Sequence, residues 1–195
     1  MVAESDPGIG NEATRRPGGG GRVPFVVLNL LGGIAVLASY VVGLSASPEL
    51  AGAVWGGVPE ALRPVYTVCM FLAAGGYFLF SHYIFWGLPT DRLRVFGQHG
   101  LRAFVGLYAV ILIPSALWMP LTMRMIETPG PANWWMIRLV LLAVGGASVL
   151  LIEAVRSAEP QGSTRGRRLA ILGAVLFAFQ TAVLDALIWP AYFPG

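Results

Sequence analysis

VPFVVLNLLGGIAVLASYVVGLS, residues 23–45, carries no charged side chain. At about 1.5 Å of helix rise per residue it can cross a hydrocarbon core of about 30 Å. A chain buried in lipid must satisfy its own backbone hydrogen bonds, so this run is predicted to be a helix. It is longer than the 7–15 apolar residues usual in a signal peptide, although Ser45-Ala46-Ser47 loosely resembles a small-residue cleavage site. A retained span is therefore expected. Four further apolar runs follow, at residues 65–87, 101–122, 134–155 and 169–192, each also long enough to span. The fold class read from these runs is an all-α integral membrane protein, a five-transmembrane-helix bundle over residues 23–195.

Composition agrees with this. Of the 195 residues, 56% are hydrophobic and 12% charged, against about 25% charged in ordinary soluble domains. Residues 1–22 are polar and glycine-rich, cannot bury a core, and are expected to be a disordered cytoplasmic tail. Their glycine run lacks the strand before it and the Lys-Ser or Lys-Thr after it that a phosphate loop requires. The formal net charge of +3 comes from arginines scattered over loops and tail, which gives no stripe for nucleic acid. A single cysteine, Cys69, excludes an internal disulfide and a multi-cysteine metal cluster.

The arginines set an expected topology. Arg15, Arg16 and Arg22 precede the first span, Arg92, Arg94 and Arg102 follow the second, and Arg156, Arg165, Arg167 and Arg168 follow the fourth. The other connections hold Arg63 against Glu49 and Glu60, and Arg124 against Glu127. Arg138 lies just inside the fourth span. The positive-inside rule places the N-terminus in the cytoplasm and the C-terminus outside, with a bacterial inner membrane as the expected location.

Several residues within the spans carry information. Trp55, Trp86, Trp134 and Trp135 lie near predicted span ends, where an aromatic belt at headgroup level is the plain reading. Pro114 and Pro120 bracket Trp118 and are expected to bend the third span, opening room for a flat ligand or for protein side chains. In the fifth span, Thr181, Asp185 and Trp189 are spaced four apart and share one face of an α-helix, with Gln180 beside them. A carboxylate within a span is rare and usually faces the bundle interior, as a polar anchor, a proton-linked group or a structural hydrogen-bonding group. Glu153 and Arg156 read as a helix-end ion pair, and Arg138 as a snorkelling cation. Two histidines, His82 and His99, could in principle ligate haem iron, but no supporting constellation accompanies them and no metal site is assigned. Small residues at Gly32-Gly33, Ala73-Ala74-Gly75-Gly76 and Gly145-Gly146-Ala147-Ser148 permit close helix contact within the bundle or between protomers.

Taken together, the motifs resemble the translocator protein family, the tryptophan-rich sensory proteins. Leu184-Asp185-Ala186-Leu187-Ile188-Trp189 is similar to the family's Leu-Asn, two variable residues, aliphatic, Trp segment. Ser115, Trp118 and Pro120 hold the places of its Asn, Trp and Pro in the third span. Trp55, Pro59, Pro64-Val65-Tyr66 and Gly75-Gly76-Tyr77 look like its segment around the second span. Ser115 and Asp185 thus stand where the family has asparagine. The resemblance implies an intrabundle cavity for a tetrapyrrole (porphyrin or haem) or a sterol-like lipid, with no cofactor required for function. Trp118 and Trp189 would wall the ligand, while Asp185 and Ser115 would supply its polar contacts. Trp55, Tyr66, Tyr77 and Thr181 complete the expected site. The glycine-rich faces would support a homodimer. Two other readings stay open: a small isomerase-type membrane enzyme using Asp185 or Glu153 as acid/base, and a structural subunit of a larger membrane complex.

Overall fold

The computed structural model describes residues 22–46, 48–89 and 92–193, with the side chains of Gln98 and His99 left aside. The expected tail lies outside these residues, apart from Arg22. Helix α1 covers Arg22–Ala46. Three short 3-10 turns, Pro48–Leu50, Ala53–Trp55 and Glu60–Leu62, lead into α2, Arg63–His82, which continues as a π-helical turn, Tyr83–Gly87. A hairpin of β1, Arg94–Val95, and β2, Gln98–His99, precedes α3, Gly100–Glu127. Helix α4 runs Pro131–Arg156 and α5 Thr164–Ala178. The chain then widens into a π-helix, Phe179–Ile188, and closes on α6, Trp189–Tyr192. The chain is all-α apart from the hairpin, and among the described residues five helical stretches are long and apolar enough to cross a membrane.

The outward surface fits a lipid solvent. Leu37, Phe71 and Phe78 are each about 70% exposed or more, and their neighbours continue an apolar girdle far larger than a water-facing surface tolerates. Inside, helix pairs close on small residues. Helix α3 packs on both α1 and α4, and α5 packs on both α4 and α2. The bundle order is therefore α1–α3–α4–α5–α2, and the Tyr77 hydroxyl of α2 completes the ring by donating to Asn29 Oδ1 of α1 at 2.6 Å. A methyl on Gly32 would meet Leu112 at 2.8 Å, and one on Gly173 would meet the carbonyl oxygen of Gly76 at 2.6 Å. These glycines let α1 approach α3 and α2 approach α5.

The two ends differ chemically. One gathers Arg22, Arg94, Arg102, Arg156 and Arg165, and is tied by backbone bonds between Arg94 and Glu159 at 2.7 and 2.9 Å. There the Gly162 amide donates to the Tyr83 hydroxyl at 3.2 Å, and Ser163 caps α5 by accepting from the Gly166 amide at 3.1 Å. At the other end the loop between α1 and α2 folds over the bundle. Its Gly57 amide donates to the Tyr192 carbonyl at 2.7 Å. Gly56 has φ +55°, a left-handed conformation that glycine adopts freely, and lies against Phe193.

Each expected span lies within a helical stretch, but two features differ. The third helix runs five residues beyond its predicted end at residue 122, as one α-helix through both Pro114 and Pro120. Ser115 donates its hydroxyl to the Ile111 carbonyl, one turn back in its own helix, at 2.7 Å. The fifth span is not a uniform α-helix. Its π segment shifts the bonding to i→i+5, which no periodicity in the apolar pattern announces.

Candidate functional site: an aromatic cluster around Asp185

The π segment decides the geometry here. Residues five apart stack in such a turn, so Gln180 Nε2 donates to Asp185 Oδ1 at 2.7 Å. The Tyr66 hydroxyl of α2 donates to the Leu184 carbonyl at 3.2 Å. The segment around Asp185 is thus met by α2 at the adjoining Leu184.

Aromatic rings line this region. Trp118 of α3 stands 5.6 Å from Tyr40 and 5.8 Å, edge-on, from Trp189 (centroid to centroid). Trp189 stacks on Phe193 at 4.4 Å, and Phe193 on Trp134 at 6.0 Å. Trp55 meets Tyr66 edge-on at 6.0 Å. Trp189 also donates its indole N–H to the Val54 carbonyl at 3.0 Å, pinning the covering loop. Among the described residues, Thr122 Oγ1 and Arg167 Nε are buried without a hydrogen-bond partner, and so, in this region, are Trp118 Nε1 and Gln180 Oε1. Of this last pair, the first is a donor and the second an acceptor.

Of the residues expected from sequence, Trp55, Tyr66, Trp118 and Trp189 fall in one apolar cluster, with Asp185 next to its Leu184 and Ala186. Three do not converge on it. The single hydroxyl hydrogen of Thr181 lies between Ser148 Oγ of α4 at 2.8 Å and the Phe177 carbonyl at 3.0 Å, so it serves helix packing. Four-residue spacing still sets Thr181 one turn from Asp185, but its hydroxyl is taken up by α4 and by its own helix. Tyr77 belongs to a second cluster toward the arginine-rich end, with Phe80, Tyr108 and Phe177. Ser115 is half-buried, and its hydroxyl hydrogen goes to its own helix. Tyr40, Trp134 and Phe193 join the cluster without having been singled out as site residues. Tyr40 carries the one phenol of the first apolar run, which was an available signal.

The remaining polar groups sit apart. Glu153 pairs with Arg156 at 3.7 Å on the exposed arginine-rich end. His82 is exposed and lies against the Trp86 ring at 4.9 Å. Among the described residues, no three His, Cys, Asp or Glu side chains gather as a metal site. Trp86 and Trp135 are well exposed at opposite ends, as belt residues would be, whereas Trp55 and Trp134 pack into the cluster. A groove of about 560 Å³ lies between α1 and α3, and none of the expected site residues lines it. No protein-family model matches the chain, and neither do any of the curated proteins or solved structures compared with it.

Proposed function

We propose that this chain is an integral membrane protein that binds a hydrophobic small molecule within the bundle, beside Asp185, acting as a sensor or carrier. The ligand class is a tetrapyrrole or a sterol-like lipid. The observation that carries this reading is the pair of buried, unpartnered polar atoms, Trp118 Nε1 and Gln180 Oε1, in an aromatic setting next to a carboxylate. Leaving such an atom unmet costs about 1–3 kcal/mol. A largely apolar ligand bearing one acceptor and one donor satisfies both atoms at once, which is how mostly apolar pockets orient their occupants. An acid/base enzyme needs titratable groups converging at one depth, and Glu153 belongs to the opposite end of the bundle from the tryptophan cluster. In the same reading the arginine-rich end faces the cytoplasm. Gly33, Gly75 and Gly146, whose missing methyls would meet no neighbouring atom within 4 Å, offer faces for a second protomer.

Titration of the detergent-purified protein with protoporphyrin IX, followed by tryptophan fluorescence, tests the proposal. Saturable quenching at micromolar ligand is expected. Trp118→Phe and Asp185→Ala should each raise the half-saturation point about tenfold, the equivalent of about 1.4 kcal/mol. Quenching that fails to saturate and is equal in all three proteins would be partition into detergent, and would end the tetrapyrrole reading.

A further inference from the structure

Helix α1 meets the rest of the bundle chiefly along α3, and the seam between them is open over its outer half. The groove there is walled by short or ring-closed side chains, among them Ala35, Ala38, Val42, Ala116 and Pro120, so its surface is almost wholly apolar. It runs toward the ends of both helices, α1 at Ala46 and α3 at Glu127, and at that mouth it is lined by Arg124 and Glu127.

These two charges are unusual in this molecule. Opposite charges three apart on a helix ordinarily pair, and Arg156 with Glu153 and Arg63 with Glu60 do so at 3.7 and 4.0 Å. Arg124 and Glu127 make no ion pair and no side-chain hydrogen bond among the described residues. Their order, cation before anion, is the weaker one for pairing within a helix. Both are exposed, at the tryptophan-rich end where a spanning helix reaches headgroup depth. Glu127 stands about 4.5 Å further out along the axis than Arg124, from three residues of rise.

This arrangement matches one lipid class. We infer that the α1–α3 groove is a binding site for an aminophospholipid, one acyl chain lying in the groove, the phosphate on Arg124 and the ammonium on Glu127. With Arg124 deeper and Glu127 outermost, the protein presents the complement of a headgroup whose phosphate lies deeper and whose ammonium lies outermost. An anionic headgroup ending in glycerol would have no cation to offer Glu127. A choline headgroup would offer a cation with no N–H to donate to it. The inference requires that the chain span a bilayer, and is independent of the ligand proposed beside Asp185.

Native mass spectrometry of the full chain in detergent, with equimolar phosphatidylethanolamine, phosphatidylcholine and phosphatidylglycerol added, tests it. The parent should retain phosphatidylethanolamine over each of the others by about threefold, the scale of an exposed ion pair. Glu127→Gln should keep lipid but lose the preference, and Arg124→Gln should lower retention of all three. Ala38→Phe fills the groove from an exposed position and should also lower retention of all three with thermal stability unchanged. Equal retention of the three lipids by the parent would overturn the inference. So would a preference that survives Glu127→Gln, or an Ala38→Phe protein that dissociates from a dimer while holding lipid as before.

Discussion

Trp118 on α3 and Gln180 on the π segment each bury a polar atom that, among the described residues, no neighbour meets, and Gln180 also donates to the Asp185 carboxyl. Replacing Gln180 by Met keeps the side chain's approximate volume and removes both its bond to Asp185 and its unmet acceptor. Ligand affinity should fall and stability should fall with it, because the Asp185 carboxyl loses the amide that donates to it, a cost of about 1–3 kcal/mol that outweighs the relief from deleting the unmet acceptor. The contrast is Thr181, whose hydroxyl is fully engaged with Ser148 and Phe177. Ser148→Ala should cost about 0.6 kcal/mol, the mean for such bonds between spanning helices, read as a lower midpoint in denaturation from detergent. It should leave protoporphyrin quenching untouched. Asp185, Trp118 and Trp189 were legible in the sequence because a charge in an apolar run and a tryptophan between prolines both stand out. Tyr40 and Phe193 were not, because an aromatic residue in a span looks the same whether it faces lipid or a neighbouring ring. The bonding of Thr181 to Ser148 was not legible either, because a position on a helix face does not say which neighbouring group a hydroxyl reaches.

Helix pairing rests on a few glycines, and adjacent glycines differ sharply in what they do. A methyl on Gly76 would drive into the backbone of Gly173, whereas one on Gly75 would meet nothing within 4 Å. Gly76→Ala should therefore separate α2 from α5 and cost roughly 1–3 kcal/mol, as overpacking does. Gly75→Ala should be neutral or slightly stabilising in the same denaturation assay. The sequence showed the five helices plainly, because the length of an uninterrupted apolar run maps directly onto bilayer thickness. It showed that small residues cluster, but not which one of each pair faces a neighbour, since helix rotation is set by the partner. The π segment was hidden as well. The segment packs against α4 and α2, and its one-residue-longer bonding step leaves no mark on an apolar pattern that is hydrophobic on most sides.

Across the whole molecule, charge is divided between a basic end and an end closed by tryptophans and the loop between α1 and α2. With the basic end inward, a C-terminal reporter active only in the cytoplasm should be silent in cells, and one active only outside should work. The opposite result would invert the orientation. Loop and C-terminus are stitched together by Gly57 to Tyr192 and by Trp189 to Val54, so Trp189→Phe should loosen the covering loop and speed its proteolysis. The ring order α1–α3–α4–α5–α2 has a further bearing, on the chain as it is made. Ribosomal synthesis delivers α1 and then α2, yet neither is the other's main partner: α1 awaits α3, and α2 awaits α5, the last of the five to emerge. A nascent chain halted before Thr164 would leave Gly76 turned toward lipid with nothing to receive it. Closure of the bundle therefore waits on α5, Thr164–Ala178, and a chain that stops short of it keeps the Gly76 seam of α2 without its partner.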